Sequence, residues 1–217
     1  MACKYCEDLL ISYEESDMDF TPLFQSGNFI SFYIEKSMLY KGMKADAVKM
    51  VEFVSIKGEE FYFIECKSSF PNPKNPKPQQ ATLKKSMEVE LKKSDPEKSQ
   101  KEVDKLVKRY FKSDLEINCQ DIYTKLHHSI DLLLTSQLKI KEYTASDFPS
   151  LGSPHVFNVK FYESSMIFYL ILKGFDRSAC VQPQIALNDK LKPLKKLWGI
   201  QVKVIPEEKA RTLGFIQ

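Results

Sequence analysis

The chain has 217 residues, of which 43% are apolar and 28% are charged, and its formal net charge is +3. This length and composition predict one globular domain over residues 1–217 and exclude a chain that is disordered throughout. The net charge is too small to indicate nucleic-acid binding by itself. The sequence has no run of about 18 apolar residues, no basic-then-apolar start and an odd number of cysteines, five. We therefore expect a cytoplasmic protein with reduced thiols and no membrane partner.

The first half of the chain predicts two short helices and a hairpin. Residues 6–40 carry apolar residues at helical spacing. Residues 45–56 form a valine-rich apolar stretch, and a second apolar run at 60–68 follows the turn sequence Lys57-Gly58-Glu59. These two runs predict paired β-strands.

The second half predicts a charged helical region followed by alternating strands and helices. Residues 70–78 contain four prolines, which fix the backbone and remove hydrogen-bond donors, so this segment predicts an exposed loop. Together the elements predict an α/β fold with a mixed central β-sheet flanked by helices, in which residues 70–118 are an insertion. The later predicted elements are a helix starting at Asp95-Pro96-Glu97, a helix at 118–138, strands at 156–162, 166–172 and 200–205, a helix at 183–198 interrupted at Pro193, and a short helix from Pro206.

The sequence Glu65-Cys66-Lys67 ends the second strand of the predicted hairpin. Since side chains alternate along a strand, Glu65 and Lys67 share one face, and Cys66 points the other way, toward the core. Asp46 lies near the start of the first strand. If Asp46 comes close, two carboxylates can hold a hard divalent cation, and the lysine can steady a water or the charge on a phosphorane. These residue types are the minimum set for metal-assisted phosphodiester hydrolysis.

The register of the hairpin decides which carboxylate lies nearest Glu65. A turn centred on Lys57-Gly58 places Glu65 opposite about Met50 and leaves Asp46 four residues further along, about 13 Å away. A bulge, a bend or a longer loop would close this gap. Alternatively, Glu52 is the nearer carboxylate, although its position in mid-strand is also typical of a solvated or paired charge.

The segment Ala45-Asp46-Ala47-Val48, followed by Phe63-Ile64-Glu65-Cys66-Lys67-Ser68-Ser69, resembles the core motif of the PD-(D/E)xK nuclease superfamily. This superfamily includes archaeal Holliday-junction resolvases and restriction endonucleases. The resemblance covers about residues 28–70, and Ala45 stands where the family has proline. It implies a restriction-endonuclease-like fold and hydrolysis of DNA or RNA phosphodiesters with Mg²⁺ or Mn²⁺.

The resemblance also implies roles for individual residues. Asp46 and Glu65 would ligate the metal ion, together with the backbone carbonyl of Cys66. Lys67 would activate or orient the attacking water. Glu35, on the helix predicted before the hairpin, is either a fourth acid of the catalytic site or a surface acid.

Two further expectations follow from the same resemblance. The family's long helix after the acid-x-Lys strand corresponds to residues 118–138, where Lys125 and His128 lie beside the apolar stripe. A homodimer is also expected, because cutting two strands often needs two sites. The expected partner is therefore nucleic acid, either DNA or RNA.

Other motifs in the chain favour no different enzyme class. Cys3-x-x-Cys6 is half of a zinc site without its second half, so two free thiols are expected. Neither a glycine-rich nucleotide loop nor a nucleophile elbow is present, which excludes dehydrogenase, P-loop and hydrolase-triad chemistry. Two alternatives remain open. One is a catalytically inactive member of the fold that binds nucleic acid or protein, and the other is an unrelated α/β interaction domain in which Glu65 and Lys67 pair across a solvated sheet.

Overall fold

The strands of the protein form one large sheet and one small hairpin. A computed structural model describes residues 13–37, 40, 43–71, 78–94, 100–140 and 152–217. Within these residues the strands, in chain order, are β1 (Glu14–Glu15), β2 (Met18–Asp19), β3 (Ile30–Tyr33), β4 (Phe53–Lys57), β5 (Glu60–Lys67), β6 (Ser165–Leu172) and β7 (Gln201–Pro206). Strands β3 to β7 lie in the order β3-β4-β5-β6-β7. The pairs β3–β4 and β4–β5 are antiparallel, whereas the pairs β5–β6 and β6–β7 are parallel, so the predicted mixed sheet is confirmed.

Helices flank this sheet, as the sequence predicts. They are α1 (Thr21–Gln25), α2 (Pro78–Ser94), α3 (Gln100–Gln137), α4 (Val181–Lys190), α5 (Lys192–Trp198) and α6 (Glu207–Leu213). Short 3₁₀ turns occupy Lys44–Asp46, Pro154–Asn158 and Phe161–Glu163. Helices α2 and α3 carry the chain from β5 to β6, which a parallel pair of strands requires. No helix among the described residues has the length and apolar character needed to cross a membrane.

Two predictions in the first half of the chain are wrong. The segment Ile30–Tyr33 is a strand instead of part of a helix, because all four residues pair with β4 and its large side chains reach opposite faces. The predicted strand at 45–56 begins only at Phe53, because residues 44–46 form a 3₁₀ turn and Ala47 has a φ of 58°, which interrupts an extended backbone.

Later predictions are partly confirmed. Strands β6 and β7, the helix break at Leu191 and the final helix match the sequence pattern. Residues 156–162 form 3₁₀ turns instead of the predicted strand. The helix predicted at 118–138 is the second half of α3, which runs without interruption from Gln100. The predicted loop at 72–77, the helix start at 95–97 and the Cys3-x-x-Cys6 motif lie outside the described residues.

The sheet separates two hydrophobic clusters. Phe61 and Phe63 of β5 point into the cluster that contains Ile122, Leu126 and Ile130 of α3, which recur every four residues along one face of that helix. On the opposite face of β5, a second cluster joins the β1–β2 hairpin, α1 and α6, and it includes Tyr62, Ile64 and Cys66. The helix α3 therefore lies against the face of β5 on which Glu65 and Lys67 are predicted.

Candidate active site

Glu65 lies at the carboxyl end of β5 and is completely buried. Its Oε1 is 2.6 Å from Nζ of Lys67 and 2.8 Å from Nζ of Lys125. These contacts are close ion pairs rather than well-directed hydrogen bonds, and Oε2 has no hydrogen-bond partner among the described residues. The predicted face-sharing of Glu65 and Lys67 is confirmed by their ion pair, and Cys66 is buried on the opposite face, as predicted.

Glu52 is the carboxylate that faces Glu65 across the hairpin. Strand β4 starts at Phe53, which pairs with Ile64, so the preceding residue, Glu52, comes level with Glu65. Its Oε2 accepts a hydrogen bond from the backbone N–H of Cys66 at 2.5 Å. The side chain is nearly fully buried. Of the two arrangements that the sequence left open, the structure therefore has Glu52 nearest to Glu65.

The fold also brings Glu35 to this place. Glu35 lies in a turn after β3, whereas the sequence predicted it on a helix. The backbone N–H groups of Ile34 and Glu35 both donate to the carbonyl oxygen of Glu52, at 2.9 and 3.5 Å. This pairing sets the side chain of Glu35 beside that of Glu52. Glu35 is the most exposed of the three acids, with 29% of its side chain accessible to solvent.

Lys125 of α3 supplies the positive charge at the centre of these acids. Its Nζ is 2.8 Å from Oε1 of Glu65, 3.5 Å from Oε1 of Glu35 and 3.7 Å from Oε1 of Glu52. Only 8% of the Lys125 side chain is exposed. We call this arrangement of Glu35, Glu52 and Glu65 around one ammonium group the carboxylate cage.

Asp46 does not belong to the cage. It lies in the 3₁₀ turn before β4, is exposed, and forms no hydrogen bond or ion pair with Glu35, Glu65 or Lys67 among the described residues. The expected position of Asp46 at the start of the first strand of the hairpin is therefore wrong. The physical reason is the positive φ of Ala47, which turns the chain after Asp46 and leaves residues 47–52 outside the strand.

Helix α3 is held against the segment that leads into β4 by side chains that the sequence indicated only in part. Nδ1 of His128 accepts a hydrogen bond from the backbone N–H of Lys49 at 3.0 Å, and Oγ of Ser129 accepts one from the N–H of Val51 at 3.0 Å. Ser129, which is fully buried, also donates to the carbonyl of Lys125. His128 thus positions the helix, and Ser129 gave no sequence signal beyond its place one helical turn after Lys125.

Burial and charge shift the pKa values of the cage in a consistent direction. Burial, and next the repulsion from Glu65, raise the pKa of Glu52 well above its ordinary value. Burial also raises the pKa of Glu35, although Lys125 partly opposes this. Burial alone would lower the pKa of Lys125, but attraction by Glu65, Glu52 and Glu35 outweighs it, so the pKa is raised and Lys125 stays charged.

Lys67 lies on the same face of the sheet as Glu65, and Cys66 lies on the opposite face. Burial would lower the pKa of Lys67, but the attraction of Glu65 outweighs it and raises the pKa. Burial, followed by repulsion from Glu52 and Glu65, raises the pKa of the Cys66 thiol well above its ordinary value, so this thiol stays protonated. The carbonyl of Cys66 accepts a hydrogen bond from Oγ of Ser16 at 3.3 Å, in the tip of the β1–β2 hairpin.

The cage offers carboxylate oxygens, which are the ligand type that hard divalent cations prefer. Three carboxylates surround the position of Lys125, and the buried, unpartnered Oε2 of Glu65 is an orphaned anionic acceptor of the kind that Mg²⁺ or Mn²⁺ satisfies. In the present arrangement no group of three or more His, Cys, Asp or Glu side chains, within the part of the chain that the structure describes, is set to hold a metal ion. The acids are instead gathered around the ammonium of Lys125.

Comparison of the chain with known protein families, with curated proteins and with solved structures finds no match.

Proposed function

We propose that the protein is a metal-dependent nuclease of the PD-(D/E)xK type with a restriction-endonuclease-like fold. The observation that carries this proposal is the hairpin register, which sets Glu52 level with Glu65 on the face where Lys67 also emerges. Two buried carboxylates beside a lysine at the end of a strand are the groups that the resemblance requires. The second half of the long helix α3, which comes after α2, corresponds to the helix that the resemblance assigns to residues 118–138.

In this proposal Glu52 takes the role that the sequence pattern gave to Asp46. Glu52 and Glu65 would hold Mg²⁺, with the carbonyl of Cys66 as a further oxygen donor. When bound, the ion supplies a Lewis acid that lowers the pKa of a coordinated water and neutralises charge on the phosphate.

In the proposed mechanism Lys67 is the residue that acts on the substrate. Its ammonium group forms an ion pair with Glu65, and 23% of its side chain is accessible to solvent. Its ammonium group can donate a hydrogen bond to the attacking water or to a phosphate oxygen while Glu65 keeps it oriented. In the metal-free chain the attraction of Glu65 raises the pKa of Lys67, so its ammonium group is a hydrogen-bond donor.

The test is a cleavage assay on single-stranded and double-stranded DNA and RNA, with Mg²⁺, with Mn²⁺ and with chelator. We expect metal-dependent cleavage that falls by about 100-fold or more in Glu52→Gln, Glu65→Gln and Lys67→Met. Glu59→Gln removes an exposed carboxylate from the turn of the same hairpin and serves as the matched control, with activity unchanged.

Asp46→Asn separates the two interpretations of the acid. The sequence pattern predicts that it abolishes cleavage, whereas the geometry of the cage predicts normal cleavage. Loss of activity in Asp46→Asn with retention in Glu52→Gln would contradict the assignment of Glu52. Absence of cleavage of every substrate in the presence of either metal would contradict the nuclease proposal itself.

One observation favours a second function. The ammonium of Lys125 already forms an ion pair with each of the three carboxylates of the cage, which suits a member of the fold that binds nucleic acid or protein without hydrolysis. This alternative predicts that the wild-type chain binds nucleic acid equally well with chelator or with Mn²⁺ and leaves it intact. A gel-shift assay run alongside the cleavage assay distinguishes the two functions.

A further inference from the structure

Lys125 occupies the centre of the three acids, which are the ion-pair partners of its ammonium group within the part of the chain that the structure describes. The side chain is on the buried face of α3, between Ile122 and Leu126, which pack into the core. Its Nζ lies within 4 Å of one oxygen from each of Glu35, Glu52 and Glu65. In contrast, Lys67 contacts only Glu65 of these acids and is partly open to solvent.

We propose that Lys125 is a tethered cation that competes with the metal ion for the carboxylate cage, so that the metal binds only when this ammonium withdraws. The inference rests on the proposed function only in taking the cage as the metal site. The carboxylate oxygens open to a metal ion in the cage include the three that the ammonium contacts, namely Oε1 of Glu65, Oε1 of Glu52 and Oε1 of Glu35.

Charge and distance make joint occupancy unfavourable. Mg²⁺ binds oxygen at about 2.0–2.1 Å, which is shorter than any of the three contacts of Lys125, so the acids must close in around the ion. An ammonium left at the centre would then lie within about 4 Å of a divalent ion, at a separation where like charges repel strongly in a partly buried site. The four-carbon stem of lysine is flexible, so the group can move away while its backbone stays in α3.

The competition has a direct consequence for metal affinity. The wild-type chain must break three ion pairs before the metal gains its ligands. The metal-free cage is therefore a stable state, and the apparent metal affinity is lower than the donor set alone would give. Removing the ammonium removes this competing state.

The test compares Mn²⁺ binding by isothermal titration calorimetry in the full-length wild type and in two charge-matched double variants. Lys125→Met with Glu35→Gln deletes the ammonium and one carboxylate, so the net charge of the site is unchanged and the chain is spared an unbalanced buried acid. Lys67→Met with Glu35→Gln deletes the same carboxylate and the other lysine. Circular dichroism and urea unfolding establish that each variant is folded.

We expect the Lys125 double variant to bind Mn²⁺ about tenfold more tightly than the wild type, although it has one fewer carboxylate. The Lys67 double variant is expected to stay within about threefold of the wild type, because Lys67 leaves the cage by rotating into solvent. The proposal is overturned if the Lys125 variant binds no more tightly than the wild type, or if both double variants gain equally.

Failure of this inference is distinguishable from failure of the proposed function. Tighter Mn²⁺ binding by the Lys125 variant, without cleavage by the wild type, supports the competition and contradicts the nuclease. Metal-dependent cleavage by the wild type, with equal Mn²⁺ affinity in the wild type and the Lys125 variant, supports the nuclease and contradicts the competition.

Discussion

The two faces of β5 differ in what they bury, although the same eight residues form both. One face packs Tyr62, Ile64 and Cys66 into a cluster of apolar side chains, where the ring of Tyr62 lies 5.8 Å from that of Phe215. The other face starts with Phe61 and Phe63 but ends at a buried ion pair.

Apolar packing would stabilise that end of the strand at least as well as the charges do, because taking ionised groups out of water is expensive. The apolar face is therefore explained by stability alone. The charged end of the other face is not explained in this way, and the proposed function accounts for it. Changes on the two faces should differ in size and in their dependence on pH, and this difference can be measured.

The largest effect is expected for Lys125→Ala in metal-free buffer. It leaves Glu65 and Glu52 buried without their shared counter-ion, and breaking a buried ion pair costs about 3–5 kcal/mol of unfolding free energy. Lys49→Ala is the matched control, because Lys49 pairs with Asp121 of the same helix but is half exposed, and such pairs contribute about 0–1 kcal/mol. Urea unfolding measures both, and equal losses would contradict the special burial of the cage.

Ser129→Ala should loosen α3 from the charged face. The substitution leaves the buried N–H of Val51 without its acceptor, which costs about 1–3 kcal/mol. Ser86→Ala removes a hydroxyl that donates only to a carbonyl within α2 and is expected to change stability by no more than about 0.5 kcal/mol. Similar urea midpoints for the two variants would show that Ser129 does not anchor the helix.

The charged face should make stability depend on pH. Since burial and Glu65 raise the pKa of Glu52 in the folded chain, the folded state binds this proton more readily than the unfolded state. The contribution of this proton to the unfolding free energy is therefore full below the ordinary carboxyl pKa. It is lost as the pH rises through the raised pKa of Glu52, with a slope of at most about 1.4 kcal/mol per pH unit.

Glu52→Gln should flatten this slope in urea unfolding measured in metal-free buffer over about pH 5 to 8. Part of the slope should persist, because burial raises the pKa of Glu35 in the same direction. Glu59→Gln should leave the wild-type slope unchanged. A wild-type stability that is flat over this range, or that rises with pH, would contradict the protonation of the cage.

The smallest effect is expected on the apolar face. Ile64→Val removes one buried methyl group and should cost about 0.5–1.5 kcal/mol. Because no charge is involved, this loss should be the same at every pH and with or without Mn²⁺. A loss that varied with either condition would mean that the two faces are coupled, and the comparison would fail.

Much of the sheet follows from sequence patterns. The apolar run Phe61-Tyr62-Phe63-Ile64 predicts strand β5, and the alternation of side chains along a strand assigns Glu65 and Lys67 to one face. Short elements were less predictable, because the four residues of β3 contain too few apolar positions to distinguish a period of two from a helical one. Pairing with β4, which the local sequence does not specify, makes Ile30–Tyr33 a strand.

The candidate site was predicted in part, and the missing part has a simple geometric origin. The observed register pairs Lys57 with Glu60, so the hairpin turn is centred on Gly58-Glu59, one residue later than expected. Moving the centre of a turn by one residue moves every cross-strand partner by two. Glu65 therefore comes level with Glu52 instead of Met50.

The role of Lys125 depends on tertiary packing. The sequence places it beside an apolar stripe, and this is confirmed. Whether it points to solvent or to the acids depends on how α3 lies on the hairpin, which His128 and Ser129 determine through contacts almost 80 positions away in sequence. Periodicity within a helix carries no information on such contacts.

The residues of the carboxylate cage come from distant positions in the sequence, and this separation constrains the order in which the chain folds. Glu35 and Lys125 are separated by 90 positions, and contacts of such separation form late because a long loop must close first. During synthesis the hairpin leaves the ribosome well before the ammonium that balances it. A partial opening that lifts α3 would dismantle the cage and leave the opposite face of β5 packed. Hydrogen exchange at the amide of Val51, which is bonded to Ser129, would report that event.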